Sequence, residues 1–133
     1  MREILFRGKR VDNDEWTEGY FFKSWNKVFL LWGMTGDSPN MEEVKPETVG
    51  QYTGFRDDQD VRIFEGDIVE VRYDDDTAYL TEVRADGNTL CVDVEDKDYD
   101  YTAVDFAVEE WRDEGRELRV ISNIYDSKEE EEK

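Results

Sequence analysis

Hydrophobic and polar positions alternate along much of the chain, and this period of two is typical of β-strands. In the first half, the pattern predicts a short strand over residues 2–7. It then predicts a hairpin of residues 19–24 and 27–32, with Trp25 and Asn26 at the turn. Aromatic and aliphatic residues stand at both odd and even positions, so both faces of this hairpin carry apolar side chains.

The second half alternates more cleanly. Apolar side chains fall on every second position of residues 68–73, which predicts a strand. Residues 79–84 and 89–94 alternate on the two sides of Asp86-Gly87. Because both central residues of a type I′ turn need positive φ, Asp-Gly between such runs is a strong hairpin signal. We therefore predict that residues 79–84 pair with residues 89–94.

Turn-forming residues separate these strands. Residues 33–43 are rich in Gly, Ser, Asp, Asn and Pro and are predicted to form a loop. After this loop, Pro46 predicts a bend or an edge strand, because proline lacks the N–H group that a central strand donates to its neighbour. Gly66-Asp67 predicts a further turn, in which the Asp67 carboxylate accepts hydrogen bonds from nearby backbone N–H groups.

The last third of the chain is mixed. Residues 102–113 fit both a strand and a helix, and a short helix is favoured, with Thr102 and Asp105 at capping spacing. Its apolar face would consist of Val104, Ala107, Val108 and Trp111. Residues 118–125 predict a last strand. Residues 127–133 include four consecutive Glu and predict a disordered acidic tail that buries nothing.

Together these elements predict a mainly β protein with at most one or two short helices. A strand, a Gly-Asp turn, a twisted strand and hairpins within about sixty residues fit an SH3-like barrel over residues 65–126. Residues 1–64 would form an N-terminal β lobe that shares the core, because residues 29–32 are too apolar to be left in water.

Charge is distributed unevenly along the chain. There are 36 acidic and 17 basic residues and no His, which gives a net charge of −19. Residues 65–118 alone hold 19 acidic and five basic residues, a net charge of −14. Such a surface repels phosphate backbones, so direct binding to nucleic acid is not expected. The carboxylates either keep the protein soluble or address a basic partner.

The residues that commonly carry chemistry form no catalytic or metal-binding pattern. Without His, neither the single Cys91 nor a serine has its usual base, and a zinc site lacks ligands. Residues 96–100 have the Asp-x-Asp-x-Asp spacing of a Ca²⁺ loop, but Tyr101 and Ala107 replace the required Gly and Glu. Among 36 acidic residues, no carboxylate pair for glycoside hydrolysis stands out. We expect no enzyme activity, no metal and no cofactor.

Four stretches resemble one known family. Residues 47–55 and 63–69 read ETVGQYTGF and IFEGDIV, residues 1–7 read MREILFR, and residues 120–125 read VISNIY. The first two are similar to the hallmark region of the YopX family of small bacteriophage and prophage proteins. The others are similar to its opening and its closing strand, with Ser122 where the family usually has Gly. The resemblance implies an SH3-like roll and an accessory role in the cytoplasm of a bacterial host, and it brings no catalytic residues.

A cytoplasmic location also agrees with the sequence itself, which contains no transmembrane-length apolar segment, no signal peptide and one cysteine. The first functional hypothesis is a protein-binding or assembly module that docks through exposed aromatic residues, with homo-oligomerisation as one form of it. Its candidates are Gln51, Tyr52 and Thr53 as a recognition loop, and the rings of Trp16, Trp25, Tyr99, Tyr101 and Trp111. On the structural interpretation, Tyr52 is a core or rim ring, and Gly50 and Gly54 provide positive φ or close backbone approach.

The alternative hypothesis is an acidic imitation of DNA that inhibits a basic nucleic-acid-binding protein. Asp93, Glu95, Asp96 and Asp98 are its candidate residues. An enzyme of unrecognised type is the third hypothesis. No membrane partner is expected.

Overall fold

The computed structural model describes residues 4–86, 89–92 and 102–126. Most of these residues lie in antiparallel strands, and one α-helix and short helical turns accompany them. The predicted mainly β class with few helices is confirmed. The chain divides into two compact units, Met1–Tyr52 and Thr53–Lys133. The boundary predicted between residues 64 and 65 lies inside the second unit.

The first unit is an antiparallel sheet. Its strands are β1 (Phe6–Lys9), β2 (Trp16–Ser24), β3 (Lys27–Thr35), β4 (Ser38–Val44) and the beginning of β5 (Gly50–Arg56). Their order across the sheet is β4-β3-β2-β1-β5. A 3-10 turn, Pro46–Thr48, leads from β4 into β5, where the sequence predicts a bend.

Strands β2 and β3 form the predicted hairpin, in which Ser24 pairs with Lys27 across Trp25-Asn26. The loop predicted for residues 33–43 is wrong, because β3 and β4 continue through this segment as a second hairpin.

Two residues explain why turn-forming composition is compatible with strands here. Gly36 has a φ of +63° and lets the chain reverse within Gly36-Asp37. Pro39 stands in β4, the terminal strand of the sheet order, where a missing N–H is tolerated. The residues that suggested a loop therefore occupy the turn and the edge.

The core of the first unit lies on one face of this sheet. Val28, Leu30 and Val44 are buried together, and Phe6 and Val49 pack against them. The sheet curls, since the end of β1 meets the end of β4 through an isolated bridge from Arg10 to Val44 and a 2.8 Å hydrogen bond from Lys45 N–H to the Lys9 carbonyl. The β2–β3 hairpin therefore turns its other face away from this core.

The second unit contains the end of β5 and the remaining elements. These are β6 (Arg62–Phe64), β7 (Asp67–Arg72), β8 (Ala78–Glu82), β9 (Arg84–Asp86), β10 (Thr89–Val92), β11 (Thr102–Ala103), α1 (Val104–Asp113) and β12 (Glu117–Asn123). They include two three-stranded sheets, with the orders β12-β7-β8 and β11-β10-β9. Within the described ranges these sheets do not close into a barrel, so the SH3-like barrel stays a prediction.

Helix α1 supplies a large part of the second core, as the helical periodicity predicts. Its buried residues are Val104, Ala107, Val108 and Trp111. They pack with buried side chains of the strands, which are Ile63, Val69, Val71, Val92 and Leu118, and with Val83 between β8 and β9. The helix predicted for residues 102–113 is thus confirmed from residue 104 onward. The cap differs: Ala103 is the N-cap, and Thr102 lies in β11, paired with Val92.

Strand pairing in the second unit corrects one prediction. Thr89 pairs with Asp86, so a hairpin does lie here, but β9 supplies its first strand. Residues 79–82 do not pair with β10; they belong to β8 and pair with β7. Gly87, residues 93–101 and the tail 127–133 lie outside the described residues, as do the predictions made for them.

Candidate functional site

The β2–β3 hairpin presents a row of large apolar side chains on the face opposite its core. The pairing register puts Tyr20 beside Leu31 and Phe22 beside Phe29, and Leu31 in turn beside Met41 of β4. The rings of Phe22 and Phe29 lie 6.3 Å apart between centroids. We call these five residues, Tyr20, Phe22, Phe29, Leu31 and Met41, the aromatic face.

The aromatic face is open to solvent. Tyr20 is 61% exposed, Phe22 47% and Met41 45%, and the other two members are half-buried. By contrast, Leu30 on the core face of the same hairpin is fully buried. Single exposed apolar residues need no explanation, but a contiguous patch across three strands is characteristic of an interaction surface.

Trp25 stands at the tip of the same hairpin. Its side chain is 94% exposed, and its φ of +59° is in the left-handed region. Among the two turn residues only this first one has positive φ, which is the position that glycine occupies in type II′ turns. A bulky residue in this conformation costs roughly 1–2 kcal/mol. The exposed indole recovers almost none of that cost by packing on its own chain.

The charges that flank the aromatic face balance one another. At one end, Arg7 of β1 pairs in register with Glu18 of β2, and the Arg7 guanidinium lies 4.6 Å from the ring centre of Trp16. At the other end, the Lys27 ammonium lies 3.9 Å from a Glu43 oxygen. The face is therefore apolar in its middle, with a basic and an acidic side chain beside each other at each end.

Two side chains in the loop between β1 and β2 have pKa values displaced from their ordinary ones. A hydrogen bond from the Lys45 ammonium lowers the pKa of Asp14 below that of an ordinary aspartate. A hydrogen bond to Asp12 raises the pKa of Arg10, and nearby Glu42 contributes to this. None of these groups belongs to the aromatic face.

The predicted recognition loop is a strand. Gln51 lies in β5, paired with Phe6 and half-buried. Tyr52 is buried, and its N–H donates to the Leu5 carbonyl at 2.7 Å. Thr53 is also buried, and its hydroxyl donates to the Ile63 carbonyl at 2.8 Å. Each of the three therefore has a local structural role.

The two glycines near this segment have different backbone roles, and Asp67 has a third. Gly54 has a φ of +91°, whereas Gly50 is a buried strand residue paired with Arg7. Asp67 is buried, and its carboxylate accepts a 2.7 Å hydrogen bond from the Phe64 N–H, as predicted for the Gly66-Asp67 turn.

The remaining candidate residues differ in how far they are buried. Trp111 is buried in the second core, and Trp16 is half-buried beneath Arg7 and Lys9. Of the three candidate tryptophans, Trp25 is the exposed one. Candidates Asp93, Glu95, Asp96, Asp98, Tyr99 and Tyr101 lie outside the described residues.

The aromatic face itself was missed as a site by sequence reasoning. The available signal was the loss of alternation in residues 20–22 and 29–32, where apolar side chains follow one another without a polar break. Only one of two apolar faces can pack on the unit's own core, so the other must stay exposed or be covered by a partner.

The second unit offers a polar pocket of about 350 Å³. Among its lining residues, Arg72 and Glu70 form an ion pair of 3.1 Å, and Arg119 pairs in register with Glu70. Glu117 and Asp58 add negative charge. Alternating charges of this kind are usual on the solvent face of a sheet.

In the described ranges, no group of three or more His, Cys, Asp or Glu side chains could hold a metal ion. Cys91 is a free, buried thiol. None of the helices in these ranges is long and apolar enough to cross a membrane.

Comparison with known proteins gives one result. The profile of the family described as YopX protein matches residues 5–129. Searches of curated proteins and of solved structures found no significant match. The matched range covers nearly the whole chain, including the hallmark residues of β5 to β7 and the closing strand β12. The chain belongs to the YopX family.

Proposed function

We propose that this protein is a non-catalytic protein-binding or assembly module that docks through the aromatic face of its first unit. It would act as an accessory protein of a bacteriophage or prophage, in the cytoplasm of the bacterial host, and would need no cofactor. The observation that carries the proposal is the exposed aromatic face together with Trp25 at its tip. Rigid aromatic side chains and methionine are the residue types enriched where proteins bind each other.

The residues of the face support binding rather than stability. Hydrogen bonding within the sheet does not require apolar side chains on this side, and exposed rings gain little on folding. A ring that docks in a partner gains the area that it leaves exposed here. The apolar character of the face also predicts contacts that persist at high salt, since screening weakens charge pairs and leaves apolar contacts intact.

A photo-reactive residue in place of Phe22 tests this in bacterial cells that express the chain. The matched control places the same residue at Phe106, which is 70% exposed on α1 of the second unit. Light should produce discrete covalent protein adducts from position 22 and far fewer from position 106. Absence of adducts at position 22, or equal yields at both positions, would overturn the proposal.

A second candidate function is favoured by charge. Residues 65–118 carry a net charge of −14, which suits an acidic inhibitor of a basic nucleic-acid-binding protein. Such a complex should be captured from host lysate at low salt and lost at high salt. Charge reversal at Asp93, Glu95, Asp96 and Asp98 should abolish it. A docking module should instead keep its partner at high salt and lose it when Tyr20 and Phe22 become serine.

A further inference from the structure

We propose that the aromatic face is covered by the same face of a second copy of this chain, so that the protein forms a two-fold symmetric dimer through its first unit. This inference rests on the proposed function and names the partner. Three features support a second copy: the distribution of charge, the area of the face, and the protection of the neighbouring sheet edge.

Charge decides where two copies can meet. Residues 1–52 hold nine acidic and seven basic residues, a net charge of −2, whereas residues 53–133 hold 27 acidic and ten basic residues, a net charge of −17. Two chains of −19 repel each other, and the repulsion is strongest between their acidic units. The first unit is the surface on which close approach costs least.

The rim of the face fits a like partner better than a charged one. Arg7 and Glu18 offset each other, as do Lys27 and Glu43. A strongly basic partner would find no excess of carboxylates here, and it would be drawn to residues 53–133 instead. A second neutral, apolar face meets neither repulsion nor an unpaired charge.

The size of the face is suitable for one side of an interface. Four rings, those of Tyr20, Phe22, Trp25 and half-buried Phe29, leave exposed on the order of 500 Å². With Leu31, Met41 and the polar rim, this approaches the roughly 800 Å² that each partner buries in a standard interface. Three neighbouring strands form a surface that can pack on an identical surface about 10 Å away, as sheets do in β-sandwiches.

Strand β4, at the edge of the sheet beside the aromatic face, is protected against pairing with a strand of a second copy. Strand β4 is terminal in the sheet order, and it carries Pro39, which cannot donate to a new strand, and the carboxylates of Glu42 and Glu43. Edge-to-edge extension of the sheet is therefore disfavoured. The two copies are therefore expected to pair face to face about a two-fold axis. Such a dimer adds no further copies, because each chain uses the same patch for the contact.

Sedimentation velocity of the purified full chain tests the dimer. The expected species has twice the chain mass of 15.8 kDa. Its Kd should fall as salt rises from about 0.1 M to about 1 M, because the Debye length drops from about 10 Å to about 3 Å and screens the repulsion between chains. A complex held by opposite charges would respond in the reverse direction. A mass of one chain at every concentration and salt would overturn the inference.

Variants locate the interface. Tyr20→Ser with Phe22→Ser should raise the Kd at least tenfold, as loss of central rings does in other interfaces. Met41→Glu, on a different strand, should do the same by placing a charge in the apolar middle. The control Phe106→Ser should leave the Kd unchanged. The circular dichroism spectrum of each variant should match that of the parent at a concentration where the parent is monomeric, which separates lost contact from lost folding.

Failure of the dimer and failure of the proposed function are distinguishable. If the chain is monomeric but position 22 forms adducts with another protein in cells, the face is a docking site with a different occupant, and the inference is wrong. If the chain dimerises and the serine variants do not weaken it, the dimer uses another surface, which also overturns the inference. If neither adducts nor dimers form, both proposals fail.

Discussion

The buried carboxylate of Asp57 accepts a 2.9 Å hydrogen bond from the backbone N–H of Val120, which lies 63 positions later in the chain. The other oxygen of Asp57 accepts from the N–H groups of Gln59 and Val61, both at 2.9 Å. Next to it, Asp58 accepts from the Leu118 N–H at 2.8 Å. These two carboxylates therefore satisfy backbone donors of β12 and join β12 to the turn around residue 60.

Replacement of Asp57 should be among the most destabilising single changes in the second unit. Asp57→Ala leaves three backbone N–H groups without their acceptor, two of them in the turn and one in β12. We expect a loss of about 2–4 kcal/mol in the free energy of unfolding, measured by urea denaturation. The neighbouring exposed change Gln59→Ala should cost less than about 0.5 kcal/mol. Equal stability of the two variants would show that these hydrogen bonds contribute little.

Gly19 lies where β2 approaches the backbone of β3. A Cβ at this position would collide with the Leu31 carbonyl oxygen, which is backbone and cannot rotate away. Gly19→Ala should therefore lower the free energy of unfolding by roughly 1–3 kcal/mol, as overpacking does. At Gly8 the nearest atom is the Cβ of buried Val44 at 3.0 Å, so an added methyl is crowded there but does not overlap backbone atoms. The melting temperature should fall more for Gly19→Ala than for Gly8→Ala, and the reverse order would contradict the structure.

The ion pair of Asp14 and Lys45 should be visible in an acid titration. The pKa of Asp14 is lowered in the folded state, so the pair contributes stability above the unfolded pKa of this carboxyl, and the contribution is lost as pH falls through the folded pKa. Carboxyl NMR should show Asp14 titrating below the ordinary value of an aspartate. In Lys45→Met the pKa of Asp14 should rise towards that ordinary value. An Asp14 that titrates alike in both proteins would exclude the pair.

Trp25 should show a trade-off between stability and binding. Trp25→Gly relieves the strain of positive φ but adds the backbone entropy of glycine to the unfolded state. The free energy of unfolding should stay unchanged or rise by up to about 1 kcal/mol, measured by thermal and urea denaturation. The same variant should reduce light-induced adducts from position 22. A clear loss of stability would mean that the indole packs on its own chain.

The pattern of residues along the chain was sufficient to predict those elements whose structure depends on residues close in sequence. The turn at Trp25-Asn26 and the strands beside it, the buried Val69 and Val71 of β7, and the helical face of α1 all follow from side-chain period. In each case the residues that face the core are two, three or four positions apart. The period is therefore a property of the segment itself.

Pairing between segments was decided by the tertiary structure. Residues 79–82 alternate as well as any strand, yet they pair with β7 and not with β10, because alternation defines a buried face and does not select a neighbour. Strand β12 likewise joins β7 from about fifty positions away. The turn residues of 33–43 misled for a related reason, since Gly36 and Pro39 are acceptable within a hairpin at the turn and at an edge.

For the candidate site too, the sequence determined some properties and the tertiary structure decided the others. Composition and order of residues determined that the chain is acidic, mainly β and a member of the YopX family, and that its hairpin is apolar on both sides. Which side packs inward depends on how the sheet curls from β1 to β4, and that curl is set by contacts between distant residues such as Arg10 and Val44. Only the tertiary structure therefore decided that Leu30 is buried while Tyr20 and Phe22 stay exposed.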